Sequence, residues 1–167
     1  MYHDRAIELI MHAAAACMIP FTEDDAHALV RRMHPYTIPA GTWFLVEDER
    51  SDSDFTMLVL SGDVVVESEI ADGSSLTIGV LSPGRWVGEL SMLDGQRRVA
   101  ACRASDDADV VCAILCREEF LDMLDTEPHL AAKLTLLLAS NMAGSLRDMH
   151  QKMCRYAEIQ KALRTSL

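Results

Sequence analysis

No stretch of this sequence is apolar for the roughly 20 residues a helix needs to cross a bilayer, and a soluble protein is expected. Basic charge is scarce: 15 Lys and Arg stand against 26 Asp and Glu, a formal net charge of −11. Such a balance opposes the counterion-release attraction on which DNA and RNA binders depend, and it disfavours direct nucleic-acid contact. Cysteines at metal or redox spacing are missing too. Cys17, Cys102, Cys112, Cys116 and Cys154 are odd in number and form neither CxxC nor zinc-ribbon pairs. They read as free, buried thiols in a reducing, cytoplasmic compartment. The amino terminus, MYHDRAIELIMHAAAAC, lacks a leader's basic start, because Asp4 and Glu8 stand there and His12 interrupts the apolar part. We read it as a helix.

Among 167 residues half are hydrophobic, enough to bury one core with appendages and too few for two domains of ordinary size. Ile7, Ile10, Met11, Ala14 and Cys17 recur at helical spacing until Pro20. Thr22 then offers an N-cap to a second helix, with Glu23, Asp24 and Asp25 favourably placed in its first turn. Its apolar face is Ala26, Leu29, Val30 and Met33, and His34-Pro35 closes it.

From Tyr36 to about Leu115 the texture changes to short β-branched and aromatic runs broken by glycine, as expected of an antiparallel sandwich or roll. The expected strands are 36–38, 43–46, 55–60, 63–69, 75–80, 86–87, 99–104 and 109–115. The six histidines, at 3, 12, 27, 34, 129 and 150, all lie outside this strand region. A metal-dependent roll enzyme gathers imidazoles on inward strand positions, so the pattern argues against one. No Ser–His–Asp or Cys–His grouping is visible either, and no enzymatic activity is expected.

Arg117-Glu118-Glu119-Phe120 begins another helix, and Pro128 opens a long last one reaching about Arg164. On it Leu130, Leu134, Leu137 and Leu138 are placed to cover the roll. Further along, Ala139, Met142, Leu146, Met149, Met153, Tyr156 and Leu163 follow steps of three and four broken only by Gln160, a seam that seeks a second helix. A homodimer through this helix is the expectation. The basic residues of 147–164 outnumber the acidic ones five to two and stay hydrated or meet an acidic protein partner. The division is therefore 1–35 for N-terminal helices, 36–116 for the roll and 117–167 for C-terminal helices.

The stretch PGRWVGELSMLDGQRRVAA, Pro83 to Ala101, stands apart. Residues 36–115 hold fourteen acidic side chains against five basic ones, and three of the five, Arg97, Arg98 and Arg103, fall in or just beyond its 88–100 portion. Glu89 precedes Arg98 by nine residues, with Gly88 before it and Gly95 turning the chain between them. A glycine lets backbone approach a ligand, a carboxylate accepts from hydroxyls, and a guanidinium grips an anion through parallel hydrogen bonds. If Leu90 to Leu93 form a helical turn, their unpaired amides add partial positive charge at the same place. The set suits a sugar phosphate. Arg97 points the opposite way from Arg98 if the two share a strand, and it reads as solvated.

These residues resemble the phosphate-binding cassette of the cyclic nucleotide-binding domain family, a G-E-L-A motif followed by R-A-A or R-T-A. Gly88, Glu89, Leu90, Ser91, Arg98, Val99 and Ala100 stand in those places, and the turns Ile38-Pro39-Ala40-Gly41 and Leu60-Ser61-Gly62 are similar as well. The resemblance covers about residues 15 to 150. It implies an α+β fold: an antiparallel β-roll, or jelly roll, flanked by N-terminal helices and a long C-terminal helix. It also implies that Glu89 takes the ribose 2′-hydroxyl and Arg98 the exocyclic oxygens of a cyclic phosphate, with backbone amides of Gly88, Leu90 and Ser91 beside them. Val99 departs from the family's Ala, Ser or Thr and offers no hydroxyl to a guanine base, so cAMP rather than cGMP is the expected ligand. Arg97 replaces a common proline. In relatives a residue of the long helix covers the base, a place that Asn141 or Ser145 can take. The helix-turn-helix of the family's transcription regulators has no counterpart before Leu167, and Cys17 stands alone where the oxygen-sensing relatives carry a cysteine cluster. The expected function is a regulatory sensor module that binds a cyclic nucleotide and signals through the C-terminal helix. The alternative is a degenerate scaffold that keeps the fold, dimerises or docks a partner, and binds no nucleotide.

Overall fold

Phe55–Ser61 reads FTMLVLS, and its five central residues are all buried, an arrangement that requires cover on both faces of the strand. Its side chains divide by parity. Met57 and Val59 enter one apolar cluster, while Leu58 and Leu60 enter another. Val110–Cys116 pairs with it antiparallel, Met57 opposite Ile114 and Val59 opposite Cys112, and divides the same way. Val110 and Cys112 join the first cluster, Ala113 and Leu115 the second. These two central strands separate the core of a β-roll from a helical core outside it.

The computed structural model describes residues 2–49, 54–71 and 73–165. In chain order it runs α1 (Tyr2–Ala16), α2 (Glu23–Arg31), β1 (His34–Ile38), β2 (Trp43–Leu45), β3 (Phe55–Ser61), β4 (Val64–Glu69), β5 (Ser75–Leu81) and β6 (Trp86–Val87). It continues with α3 (Glu89–Asp94), β7 (Ala101–Ala104), β8 (Val110–Cys116), α4 (Arg117–Thr126) and α5 (Pro128–Thr165). The strands form two four-stranded antiparallel sheets, ordered β1-β8-β3-β6 and β2-β7-β4-β5. This is the α+β architecture that the resemblance implies, a roll with helices before and after it.

Thr22 caps α2 as its hydroxyl predicts. Its Oγ1 accepts from the Asp25 amide at 3.2 Å, and Asp25 Oδ2 accepts from the Thr22 amide at 2.7 Å, a reciprocal capping box. The helix ends at Arg31, however, and His34-Pro35 already pairs with Ile114-Ala113 of β8. Proline is tolerated there because β1 is an edge strand. A second departure is the expected strand start at Val99. Pairing begins only at Ala101, because the backbone of Arg98 is engaged instead with Asp48 and Glu49, at 2.9 and 3.1 Å. A third concerns the thiols, since Cys17 and Cys154 are exposed while Cys102 and Cys112 are buried.

The first half of α5 builds the helical core. Leu130, Leu134, Leu137 and Leu138 are buried among α1, α2, α4 and the outer side of β3 and β8. Polar ties fix its start: Lys133 Nζ donates to Asp25 of α2 at 2.6 Å, and Arg32 bridges Asp122 of α4 and Glu127 before α5, each at 2.7 Å. From Leu146 onward α5 leaves this core. At about 1.5 Å per residue its 38 residues extend roughly 57 Å. Among the described residues no helix is long and apolar enough to cross a membrane. Leu134 is fully buried. Its replacement by Ala is expected to lower unfolding stability by about 2–5 kcal/mol, read from urea denaturation, and a loss below about 1 kcal/mol would contradict this packing.

Candidate functional site

The site is built where β6 ends. Trp86 and Val87 pair with Leu58 and Met57 of β3, and the chain then turns through Gly88 at φ +81° into α3. Only glycine suits this turn. A Cβ here would lie 2.8 Å from Arg98 Nη1 and 2.9 Å from the Phe55 carbonyl oxygen, in a backbone region that other residues avoid. Gly95 ends α3 in the same left-handed region, its amide donating to the Ser91 carbonyl at 2.8 Å. The helical turn anticipated at Leu90–Leu93 is therefore present as α3.

Arg98 is 5% exposed, an unusual state for a guanidinium. Its Nη1 donates to the carbonyls of Gly88 at 2.9 Å and Phe55 at 3.3 Å, and its Nη2 lies 3.6 Å from Asp54 Oδ1. The ring of Phe55 lies beneath it, 5.0 Å from centroid to guanidinium carbon. Burial pushes the Arg98 pKa down, with the neighbouring Asp54 charge pulling it back up. Nε is buried with no hydrogen-bond partner in the protein. Arg97 is exposed as expected and donates to the Asp48 carbonyl at 3.0 Å. Arg103 is not part of this site: it pairs with Glu67 and Asp106 at 3.1 Å and stacks near Trp43.

All seven residues singled out in the sequence, Gly88, Glu89, Leu90, Ser91, Arg98, Val99 and Ala100, line one cavity of about 140 Å³. Its floor is apolar. Leu45, Cys102 and Val66 lie across β2, β7 and β4 as neighbours in register, and Leu81 and Val87 complete it. Burial pushes the Cys102 thiol up to about 12, so it lines the cavity as a neutral group. Val99 stands at the rim, 65% exposed.

Helix α5 crosses this cavity. Ser145 lines it and accepts from Arg85 Nη2 at 3.1 Å. Four residues earlier, Asn141 Nδ2 donates to Glu89 Oε1 at 3.3 Å and to the Trp86 carbonyl at 3.5 Å. Burial raises the Glu89 pKa, opposed by its own amide, Asn141, Arg85 and Arg98. Three buried donors at or beside the cavity, on Arg85, Trp86 and Arg98, lack protein partners. Among the described residues no group of three or more His, Cys, Asp and Glu is placed to hold a metal ion. Sequence reasoning missed Asp54, Phe55 and Arg85. The first two are more than forty residues from Arg98 and carry no local motif, and Asp54 reads as one more solvated acid in 47–54.

A family model, the cyclic nucleotide-binding domain, matches residues 36–127. The chain belongs to that family. The Cyclic AMP receptor protein of Thermus thermophilus is 34% identical over 85 residues, which are 51% of this chain and 38% of that relative. The chain thus aligns to well under half of that relative's length. Among solved structures, a cyclic nucleotide-binding domain from Methylobacillus flagellatus matches with a TM-score of 0.81 and 25% identity over 93% of this chain and 84% of that one. The regulatory domain of Toxoplasma gondii PKA, solved with cAMP, shares the fold with a TM-score of 0.61 at 21% identity, over 72% of this chain and 43% of its own.

The raised Glu89 pKa has a definite sign. Folded protein holds that proton more tightly than unfolded chain, so the contribution is present in acid and lost as pH rises through the folded value. Glu89→Gln removes this dependence. As pH rises above the ordinary glutamate value of about 4.3, the variant is expected to gain stability relative to the parent, measured by denaturation at each pH. A difference that stays flat above that value would refute the assignment.

Proposed function

We propose that this chain is a cytoplasmic, non-enzymatic sensor module that binds cAMP at Gly88, Glu89, Leu90, Ser91, Arg98, Val99 and Ala100 and signals through α5. The observation that carries the reading is the Arg98 guanidinium, buried in a chain of net charge −11, on the cavity wall and with one nitrogen unpartnered. Burying a cation in an apolar setting is unfavourable unless something compensates it, and an anionic guest is the natural compensation. Glu89 supplies the acceptor for a ribose hydroxyl. Membership of the family supports a cyclic nucleotide as the guest, and the name of the Thermus thermophilus relative supports cAMP. Val99 adds to that preference because it offers no hydroxyl to a guanine.

Signalling follows from where α5 sits. A guest that draws the cassette around its phosphate changes what Asn141 and Ser145 contact, and the shift in α5 is limited by the guest's differential affinity for the two poses. Beyond the cavity Leu146, Met149, Met153, Tyr156 and Leu163 are 54–68% exposed on α5. An apolar seam left in water on a helix supports association with a second copy. Net negative charge argues against direct contact with nucleic acid.

The scaffold reading has an observation of its own. Two carbonyls and Asp54 already engage Arg98, and Asn141 engages Glu89, so the polar groups are partly satisfied without a guest. Titration separates the two readings, because Trp86 is buried on the cavity wall and reports on its contents.

Addition of cAMP is expected to change Trp86 fluorescence, whereas silence with cAMP, cGMP and cyclic dinucleotides alike would favour the scaffold. Arg98→Ala is expected to weaken cAMP binding at least about tenfold by calorimetry, since a charge-assisted contact contributes roughly 1.5–3 kcal/mol. Equal affinity in parent and variant would remove Arg98 from the site. For assembly, Met153→Glu places a charge in the seam. Sedimentation is expected to show a dimer for the parent and a monomer for the variant, and a monomeric parent would end the dimer proposal.

A further inference from the structure

We infer that the side-chain amide of Asn141 is an internal competitor for the Glu89 carboxylate, so that a ligand hydroxyl enters the site by displacing α5 from it. The inference rests on the nucleotide-binding reading above. Glu89 Oε1 accepts from Asn141 Nδ2 at 3.3 Å, and the other acceptor within reach of that amide is the Trp86 carbonyl, at 3.5 Å. Both partners are acceptors, so the amide presents its nitrogen to the cassette and its donor capacity is spent there. Glu89 Oε1 is therefore already engaged by the C-terminal helix.

The surrounding contacts make this exchange specific to one point on the helix. One turn further on, Ser145 is tied to Arg85, which belongs to the turn before β6. In the two turns before Asn141, the buried residues Leu134, Leu137 and Leu138 hold α5 in the helical core. Loss of the amide contact thus frees the stretch around Asn141 without unfolding the helix. A hydroxyl that takes Oε1 replaces the amide there, and the helix gives up what the ligand gains. Asn141 acts here as a positioning residue that sets affinity and couples occupancy to α5.

The test compares cAMP with 2′-deoxy-cAMP, which lacks the competing hydroxyl. In the parent, cAMP gains the hydroxyl contact and forfeits the amide contact, whereas the deoxy ligand does neither. Asn141→Ala is therefore expected to tighten cAMP about three- to tenfold and to leave 2′-deoxy-cAMP unchanged, widening the ratio between them by the same factor. Asn141→Leu keeps the branching at Cγ with a larger side chain, removes both donors and is expected to do the same, which guards against an effect of lost packing. Hydrogen exchange without ligand is expected to be faster around 138–146 in both variants than in the parent. Weakening of both ligands alike would mean that Asn141 touches the ligand instead. Unchanged affinities with unchanged exchange would mean that the amide contact sets nothing, and either result overturns the inference while leaving the nucleotide reading intact. A parent that binds neither ligand, checked by the Trp86 signal, overturns that reading and the inference with it.

Discussion

A single buried guanidinium organises this roll. Arg98 reaches across the sheet interior to the carbonyl oxygens of Gly88 and Phe55, joining the end of β6 to the start of β3, and its own backbone joins 48–49 to the segment before β7. A cation in that position requires acceptors on nearly every side. The neighbours follow from that requirement: Asp54 supplies charge, Phe55 supplies the face of its ring, and Gly88 must lack a Cβ to leave room for Nη1. The cassette is thus a place where three separate parts of the chain are held by one side chain.

How much of this is legible in sequence depends on how local each interaction is. The cassette residues lie within thirteen positions of one another, and their glycines, carboxylate and arginine announce the turn, the helix and the cation together. All seven line the cavity. The strands of β3 and β8 are equally plain, since β-branched and apolar runs bounded by turn residues leave few alternatives. What escaped was non-local. Nothing around Asp54 and Phe55 marks them as partners of an arginine more than forty residues later, and Arg85 reads as an ordinary turn residue until α5 brings Ser145 to it. Boundaries escaped as well where tertiary contacts override local preference. His34-Pro35 terminates a helix in isolation, yet an available edge on β8 makes it the start of a strand.

Two faces of the same two strands serve different ends. Met57, Val59 and Cys112 fill the roll, while Leu58, Leu60 and Ala113, one position away, support the helices. Since β3 also pairs with β6, which leads directly into Gly88, the cavity wall and the seat of α5 share a backbone. Rigid packing of this kind transmits small displacements instead of absorbing them. The polar contacts at Asn141 and Ser145 then tie that wall to the helix.

Val99 differs in kind from its neighbours on the cavity rim. With 65% of its surface in water and no hydrogen-bonding side chain, it contributes little to folding, and substitutions at such positions usually change stability by about 0.5 kcal/mol or less. Gly88 and Arg98 have no such latitude, for each is locked by contacts under 3 Å. Folding therefore constrains this one spot little. The chemistry of the rim can change there while the scaffold around it stays fixed.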